Sequence, residues 1–288
     1  MSMSDLQMKI AAEAAYIAAN KQLANLQDFA HTYSEAEATK GASILVPVYD
    51  LSASAEFDAD TNNYASGVDE TGTAEITLNK HYVKSVAATD RDLVETETQF
   101  FKNAGEGIAT VLGRAINGAV VGMLNATNID LSATVTDLAT KSAVANLYSI
   151  ADTNGLNVPQ TVVMLKPALF AKVLSLLDAS VYGGIEAVQT GRIPGLYGFK
   201  AVVCAGNLDS SVNGVMLEDT AVGIASRYLP PMTGAYPAVW KSVDPSTGFT
   251  LGFRQFCDLN TGVNFIAGEA LFGAKIINKD RIVKFVAS

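Results

Sequence analysis

The chain has 288 residues, of which 49% are hydrophobic and 17% are charged, and this composition excludes a disordered chain and supports a sizeable core. Twenty Lys and Arg residues stand against 29 Asp and Glu, so the formal net charge is −9 and electrostatic binding of nucleic acid or anionic membranes is disfavoured. The two cysteines, Cys204 and Cys257, lie far apart, which favours a reducing compartment over a disulfide framework. No apolar run of about 18 residues and no secretory signal is present, so we expect no membrane contact.

The N-terminal stretch predicts an amphipathic helical arm. Between residues 5 and 30, apolar residues recur close to helical spacing at Leu6, Ile10, Ala14, Ile17, Leu23 and Leu26. The stripe is thin and has no obvious role within the chain. We therefore expect the arm to contact a neighbouring subunit through Leu6, Ile10 and Ile17.

A long two-stranded hairpin is predicted next. Small or apolar residues alternate with polar ones from Tyr49 to Asp58, and alternation returns over Ala74 to Tyr82. The connection between them is polar and predicts a solvated tip. Because an isolated hairpin is marginal in water, we expect this one to rest on another part of the protein. Between Ile44 and Asn79 there is no Lys or Arg, but there are seven acids: Asp50, Glu56, Asp58, Asp60, Asp69, Glu70 and Glu75.

A single long helix follows the hairpin. Thr89 is a favourable N-cap, and Asp90 complements the helix dipole. Apolar and small residues then keep helical spacing to near Leu124, a length of roughly 35 residues or about 50 Å. This length is well beyond that of an ordinary globular helix, so we predict a scaffold element.

The remaining chain mixes helices and strands, which predicts an α+β fold. Helices are expected at Thr136–Ile150 and Pro167–Leu177, the second opened by its proline. Strands are expected at Gln160–Lys166, Phe199–Cys204, Val215–Leu217 and Val222–Ala225, and a terminal antiparallel group at Thr250–Phe256, Gly262–Ala267 and Leu271–Phe285.

The sequence offers no recognisable catalytic or metal-binding constellation. His31 and His81 have no Cys or second His at ligand spacing, and Cys204 falls in an apolar stretch without an evident base. Residues 105–113, GEGIATVLG, imitate a dinucleotide fingerprint, but Thr110 replaces the third glycine and the segment lies within a helix. We therefore expect no enzyme activity, no cofactor and no metal. The alternative, an enzyme of unrecognised type, requires a clustered acid–base set in a pocket.

Four stretches carry a resemblance to a known family. VPQTVVMLKPALFAKVLSLLDAS (158–180) resembles its strand-then-helix signature, and GRIPGLYGFKAVVCAGNL (191–208) resembles its glycine-rich turn into a strand. NGVMLEDTAVGIASRYLPP (213–231) resembles its next pair of strands, and GEALFGAKIINKDRIVKF (268–285) resembles the return of its chain to the peripheral sheet. With the arm, hairpin and long helix before them, the order of elements is similar to that of tailed-phage major capsid proteins, which have the Hong Kong phage-type capsid fold.

The resemblance implies a division into an N-terminal arm (1–43), an extended hairpin loop (44–88), a spine helix with the start of a peripheral domain (89–158), and an axial domain with the return to the peripheral sheet (159–288). It implies a structural protein that assembles in the host cytoplasm into pentamers and hexamers. These tile an icosahedral virion shell around double-stranded DNA. The alternative is an encapsulin-type nanocompartment shell of the same fold, which packages enzyme cargo.

Two departures from the family pattern limit what it implies. No cleaved scaffolding region fits before the hairpin, so the resemblance implies either a separate scaffolding protein or none. It also implies a portal and decoration proteins as partners. Some members join their subunits by an isopeptide bond from a hairpin lysine. This hairpin has no lysine between Ile44 and Asn79, so that bond is not available there.

The charge map predicts how subunits meet. Like charges separate two acidic hairpins, so a hairpin that crosses a neighbour should choose a basic strip in the chain beyond Pro159. Arg192 is the first candidate partner, since it precedes the turn at Pro194 and a guanidinium can bind a carboxylate through two hydrogen bonds. The predicted contacts of this kind are Asp58, Asp60, Asp69 and Glu70 with Arg192 and Lys200.

Overall fold

The structure, a computed structural model, describes residues 3–33, 43–49, 71–177, 191–230, 238–243, 248–258 and 261–286. In these ranges the helices are α1 (Met3–Leu23), α2 (Leu26–Phe29), α3 (Asp90–Val121), α4 (Lys141–Thr153) and α5 (Pro167–Leu176). The strands are β1 (Ala30–Tyr33), β2 (Ser43–Tyr49), β3 (Thr71–Thr77), β4 (Lys80–Thr89), β5 (Leu131–Thr134), β6 (Thr161–Leu165), β7 (Arg192–Pro194), β8 (Ala201–Cys204), β9 (Gly214–Glu218), β10 (Val222–Arg227), β11 (Ala238–Val243), β12 (Thr250–Asp258), β13 (Val263–Ile276) and β14 (Ile282–Val286). They form two six-stranded sheets and a two-stranded hairpin, which confirms the α+β class.

The first sheet is built around β13. This strand pairs antiparallel with β4 along residues 263–272, with β12 along 263–269 and with β10 along 271–276. Because a strand has two edges, β4 occupies one of them, and β12 followed by β10 occupies the other. β11 continues the sheet beyond β12, and β1 runs parallel to β10. Among the described strands β4 pairs only with β13, so it forms an edge of the sheet.

The long helix α3 covers one face of the first sheet. Ile108 and Leu112 of α3 are buried in the same core as Phe253 of β12. Gly268 of β13 permits this close approach, because a Cβ there would lie 2.3 Å from Cγ2 of Ile108. The predicted scaffold helix is therefore confirmed, and it ends at Val121.

The second sheet is buried on both faces, and its strand order is β5-β14-β9-β6-β8-β7. In β6, Val162 and Met164 belong to the core that also contains α3, whereas Val163 and Leu165 belong to a separate core with α4 and α5. Continuous apolar runs are typical of strands buried on both faces. The strands predicted at β6, β8 and β9 are accordingly confirmed, each with its ends shifted by a few residues.

The hairpin consists of β2 and β3, which pair from Ser43 with Thr77 to Tyr49 with Thr71. The predicted return strand, Ala74–Tyr82, is therefore wrong at both ends. Tyr82 lies in β4 instead, because its ring packs edge-to-face on Phe272 in the main core, with ring centroids 5.3 Å apart. The predicted outgoing strand, Tyr49–Asp58, lies outside the described residues apart from Tyr49.

A third, small core holds the base of the hairpin. Its buried members come from β2, from β3 with the residue after it, and from β10: Ile44, Val46, Ile76, Leu78 and Ala225. The expectation that the hairpin rests on another part of the protein is thus confirmed. The hairpin base and the first sheet are one packed unit.

Two further predicted elements differ from the structure. The helix expected from Thr136 begins at Lys141, because the hydroxyl of Thr140 accepts a hydrogen bond from the Ala143 N–H at 3.2 Å and caps it. The prediction of the terminal antiparallel group is wrong for its last strand, Leu271–Phe285. β13 runs unbroken to Ile276, and β14 crosses to the second sheet after the polar turn that contains Asp280.

Candidate assembly surfaces

The N-terminal helix α1 lies against its own chain, along α3 and beside β11. Its buried face consists mostly of small residues: Ala11, Ala12, Ala14, Ala15, Ala19 and Leu23. The two helices approach so closely that a Cβ on Gly105 of α3 would lie 2.1 Å from the carbonyl oxygen of Ala11. The expectation that this arm has no role within the chain is therefore wrong, because alanines bury their face by close backbone contact.

The three predicted arm contacts have different positions in α1. Ile17 is 58% exposed, and Ile10 is half-buried. Leu6 lies in the helix, but its side chain is outside the described part of the structure. A contact of these residues with a neighbouring subunit stays a prediction, and Ile17 is accessible for it.

A cluster of charges joins the N-terminal segment to the second sheet, and we call it the Asp28 cluster (Asp28, Arg192, Lys200 and Asp219). Arg192 Nε and Nη2 donate to Asp28 Oδ2 and Oδ1 at 2.7 and 2.9 Å. Lys200 Nζ donates to the carbonyl oxygen of Asp28 at 2.9 Å and to Asp219 Oδ2 at 3.2 Å. α2 is thereby fixed against β7 and the start of β8, across the junction of the two sheets.

The Asp28 cluster bears on the predicted contacts of Arg192 and Lys200. Both cations already have carboxylate partners within their own chain. The acids predicted to reach them from a neighbour, Asp58, Asp60, Asp69 and Glu70, lie outside the described residues. The intersubunit contact therefore stays a prediction. At Arg192 it would compete with the two hydrogen bonds that this residue donates to Asp28.

Two further carboxylates are buried by ion pairs that the sequence did not indicate. Glu218 accepts from Arg281 Nη1 and from the Asn157 N–H, both at 2.6 Å. Glu269 accepts from Arg254 Nε at 2.8 Å, and Nε2 of His81 lies 3.3 Å from its other oxygen. Buried carboxylates require such partners, so these groups fix β12, β13 and β14 in place.

The cysteines and His31, as possible nucleophiles or metal ligands, lie in environments without a recognisable site in the described part of the chain. Cys204 packs beside the core around α4, and burial raises the pKa of its thiol. Cys257 is exposed, and the His31 ring stacks edge-on to Tyr33 with centroids 4.8 Å apart. Within the described ranges, no three His, Cys, Asp or Glu side chains are grouped so as to hold a metal ion. None of the described helices is long and apolar enough to cross a membrane.

The fold is similar to that of several solved structures. A chain of Mycobacterium phage Che8 is 16% identical, with a TM-score of 0.57 over 91% of this chain and 90% of that one. A virus-like particle from Pyrococcus furiosus is 12% identical, with a TM-score of 0.57 over 96% and 97%. The capsid of an empty GTA particle is 14% identical, with a TM-score of 0.57 over 93% and 90%. These likenesses show the Hong Kong phage-type capsid fold.

The family follows from the sequence match. Residues 70–280 match the model of the phage capsid protein family, which is more than half of the 288 residues. The chain therefore belongs to the phage capsid protein family, and it is a structural protein of the capsid shell. No curated protein matches the chain.

Proposed function

We propose that this protein is the major subunit of a phage shell, and that its copies form pentamers and hexamers which close an icosahedral shell around double-stranded DNA. The observation that supports this most is the family match, because it spans residues 70–280 and so includes α3 and every strand of the two sheets except β1 and β14. Likeness to a phage Che8 chain and to a GTA capsid chain over nine tenths of both partners agrees with a shell subunit. Assembly takes place in the host cytoplasm, and the mature location is the virion.

Electron microscopy of the purified protein tests the proposal directly. We expect closed shells, or capsomers with five and six subunits, at micromolar concentration. The chain should be produced alone and together with the other structural proteins of its phage, because the proposal includes a separate scaffolding protein, a portal and decoration proteins. A monodisperse monomer of about 30 kDa under every condition would contradict the proposal.

A second candidate is an encapsulin-type nanocompartment, which the fold alone does not separate from a phage shell. The observation in its favour is the likeness to the Pyrococcus furiosus virus-like particle over 96% of this chain. The content of purified particles distinguishes the two. Nuclease-protected double-stranded DNA supports the phage shell, and a co-purifying enzyme without DNA supports the nanocompartment.

The hairpin contacts of this shell are non-covalent in the proposal. No Lys occurs between Ile44 and Asn79, so an isopeptide bond from the hairpin has no donor amine. We expect mature particles, boiled in denaturant with a reducing agent, to run as monomers on a gel. A ladder of pentamers and hexamers that survives this treatment would contradict the proposal.

A further inference from the structure

The outer edge of β4 is a long strand edge with no backbone partner among the described residues. β4 extends over ten residues, from Lys80 to Thr89, and among the described strands its ladder partner is β13, on one side. Its exposed residues include Val83, which is 57% exposed, and Ser85. In an antiparallel pair, alternate residues direct their N–H and C=O groups away from the partner strand. None of the described strands pairs with these outward groups of β4, and such an edge is a template for an added strand.

The two faces of β4 differ in chemistry. His81, Val83 and Ser85 point to the face opposite α3, where His81 adjoins Glu269. Lys80, Tyr82, Lys84 and Val86 point to the other face, and Lys84 is exposed at the strand edge. β4 contains no acid, so its edge is basic on one face and uncharged or weakly basic on the other.

Residues 50–58 of the chain, DLSASAEFD, have the complementary pattern. Their odd positions are apolar or small: Leu51, Ala53, Ala55 and Phe57. Their even positions carry the acids Asp50, Glu56 and Asp58 and no base. A strand of this sequence can therefore place its apolar residues beside Val83 while its acids lie on the side of Lys80 and Lys84.

We propose that the β4 edge accepts residues 50–58 of a second copy as an added strand, with the odd positions of the segment on the face of Val83 and Ser85. The inference rests on the proposed function, in which copies meet in a shell, and it names the surface that the acidic segment binds. Charge complementarity favours this edge over Arg192 and Lys200, since those two cations already bind Asp28 and Asp219. Backbone hydrogen bonds supply the affinity, and the two-faced pattern supplies the register.

Disulfide cross-linking between two different single-site variants tests the added strand. One chain carries Ser85→Cys, and the other carries a cysteine at one of positions 52, 53, 54 or 55, both in a Cys257→Ser background. The two chains are mixed before assembly, so a cross-link between them joins two copies. Opposed residues in paired strands have Cα atoms about 4.5–5.5 Å apart, which is within the range of a disulfide.

The expected result is alternation with position. Ala53→Cys or Ala55→Cys should cross-link to Ser85→Cys, and Ser52→Cys and Ser54→Cys should not. Equal cross-linking at all four positions, alternation of the opposite parity, or no cross-link would overturn the proposal. Each chain oxidised alone controls for Cys204. Electron microscopy of the same samples separates the two failures: shells without the cross-links overturn only the β4 contact, whereas absence of any assembly contradicts the proposed function itself.

Charge reversal gives an independent readout with a matched control. Lys84→Glu places a like charge beside the acidic segment, and Lys141→Glu makes the same change at an exposed position in α4. We expect Lys84→Glu to slow assembly by about threefold or more at low salt, and the difference should shrink above about 0.5 M salt. Equal rates for the two variants at low salt would overturn the electrostatic part of the proposal.

Discussion

The N-terminal helix and the hairpin were both expected to reach out from the subunit, but they differ in how they pack against the rest of the chain. α1 packs on α3 along a face of alanines, whereas the described base of the hairpin packs in the small core around Ile76. The difference shows that a helix with only a thin apolar stripe can still pack against its own chain. Small residues bury a helix by letting two helix backbones approach closely. The contact of Gly105 with the backbone of Ala11 shows this close approach.

Removal of α1 is the change with the largest expected effect. Deleting residues 3–23 uncovers the apolar faces of α3 and β11, and a domain has only about 5–15 kcal/mol of net stability to lose. We expect the truncated chain to lose cooperative unfolding in thermal melts followed by circular dichroism. Ile17→Ser is the control, since Ile17 is exposed and should change stability by no more than about 0.5 kcal/mol. A truncated chain that melts like the full chain would show that α1 is a detachable arm.

Ile76→Ala should loosen the hairpin and leave the main core intact. Ile76 is fully buried in the third core, so truncating it should cost about 2–4 kcal/mol of hairpin stability. Hydrogen exchange should accelerate in β2 and β3 but not in β6. Leu45→Ala, on the exposed face of the same hairpin, is the matched control and should change little. Equal acceleration in β6 would mean that the hairpin and the second sheet unfold together.

The sequence predicted elements best where the pattern was local. α3 has continuous helical spacing, and β6 and β9 read as apolar runs because both of their faces are buried. Four of the missed strands, β1, β5, β7 and β11, are at most six residues long, and their conformation depends on pairing with distant strands. The Asp28 cluster could not be predicted, because 164 positions separate Asp28 from Arg192 and no local pattern joins them.

Gly105→Ala tests the close contact of α1 and α3 at a single atom. The added Cβ would meet backbone atoms of Ala11, which cannot rotate away, so α1 must shift and we expect a loss of about 1–3 kcal/mol. Gly107→Ala in the same helix has open space and should instead stabilise the chain, by up to about 1 kcal/mol. Urea unfolding measures both. A stabilising Gly105→Ala would show that the two helices do not touch there in solution.

Asp28→Ala should have the smallest effect, and it measures how firmly the N-terminal segment holds the second sheet. Asp28 is mostly buried, whereas the Arg192 side chain is 36% exposed, so water can reach the cation when its partner is removed. Hydrogen bonds to charged groups contribute about 1.5–3 kcal/mol when intact, and partial hydration of the freed cation should limit the loss to about 1–2 kcal/mol. Asp137→Ala is the matched control, because Asp137 binds Lys172 at a similar distance on the open surface, where solvent screens the pair and its loss should change stability little. Hydrogen exchange should also rise in β1 for Asp28→Ala alone. If the two variants lose equal stability and β1 exchanges at the same rate in both, the pair of Asp28 and Arg192 contributes no more than an ordinary surface ion pair.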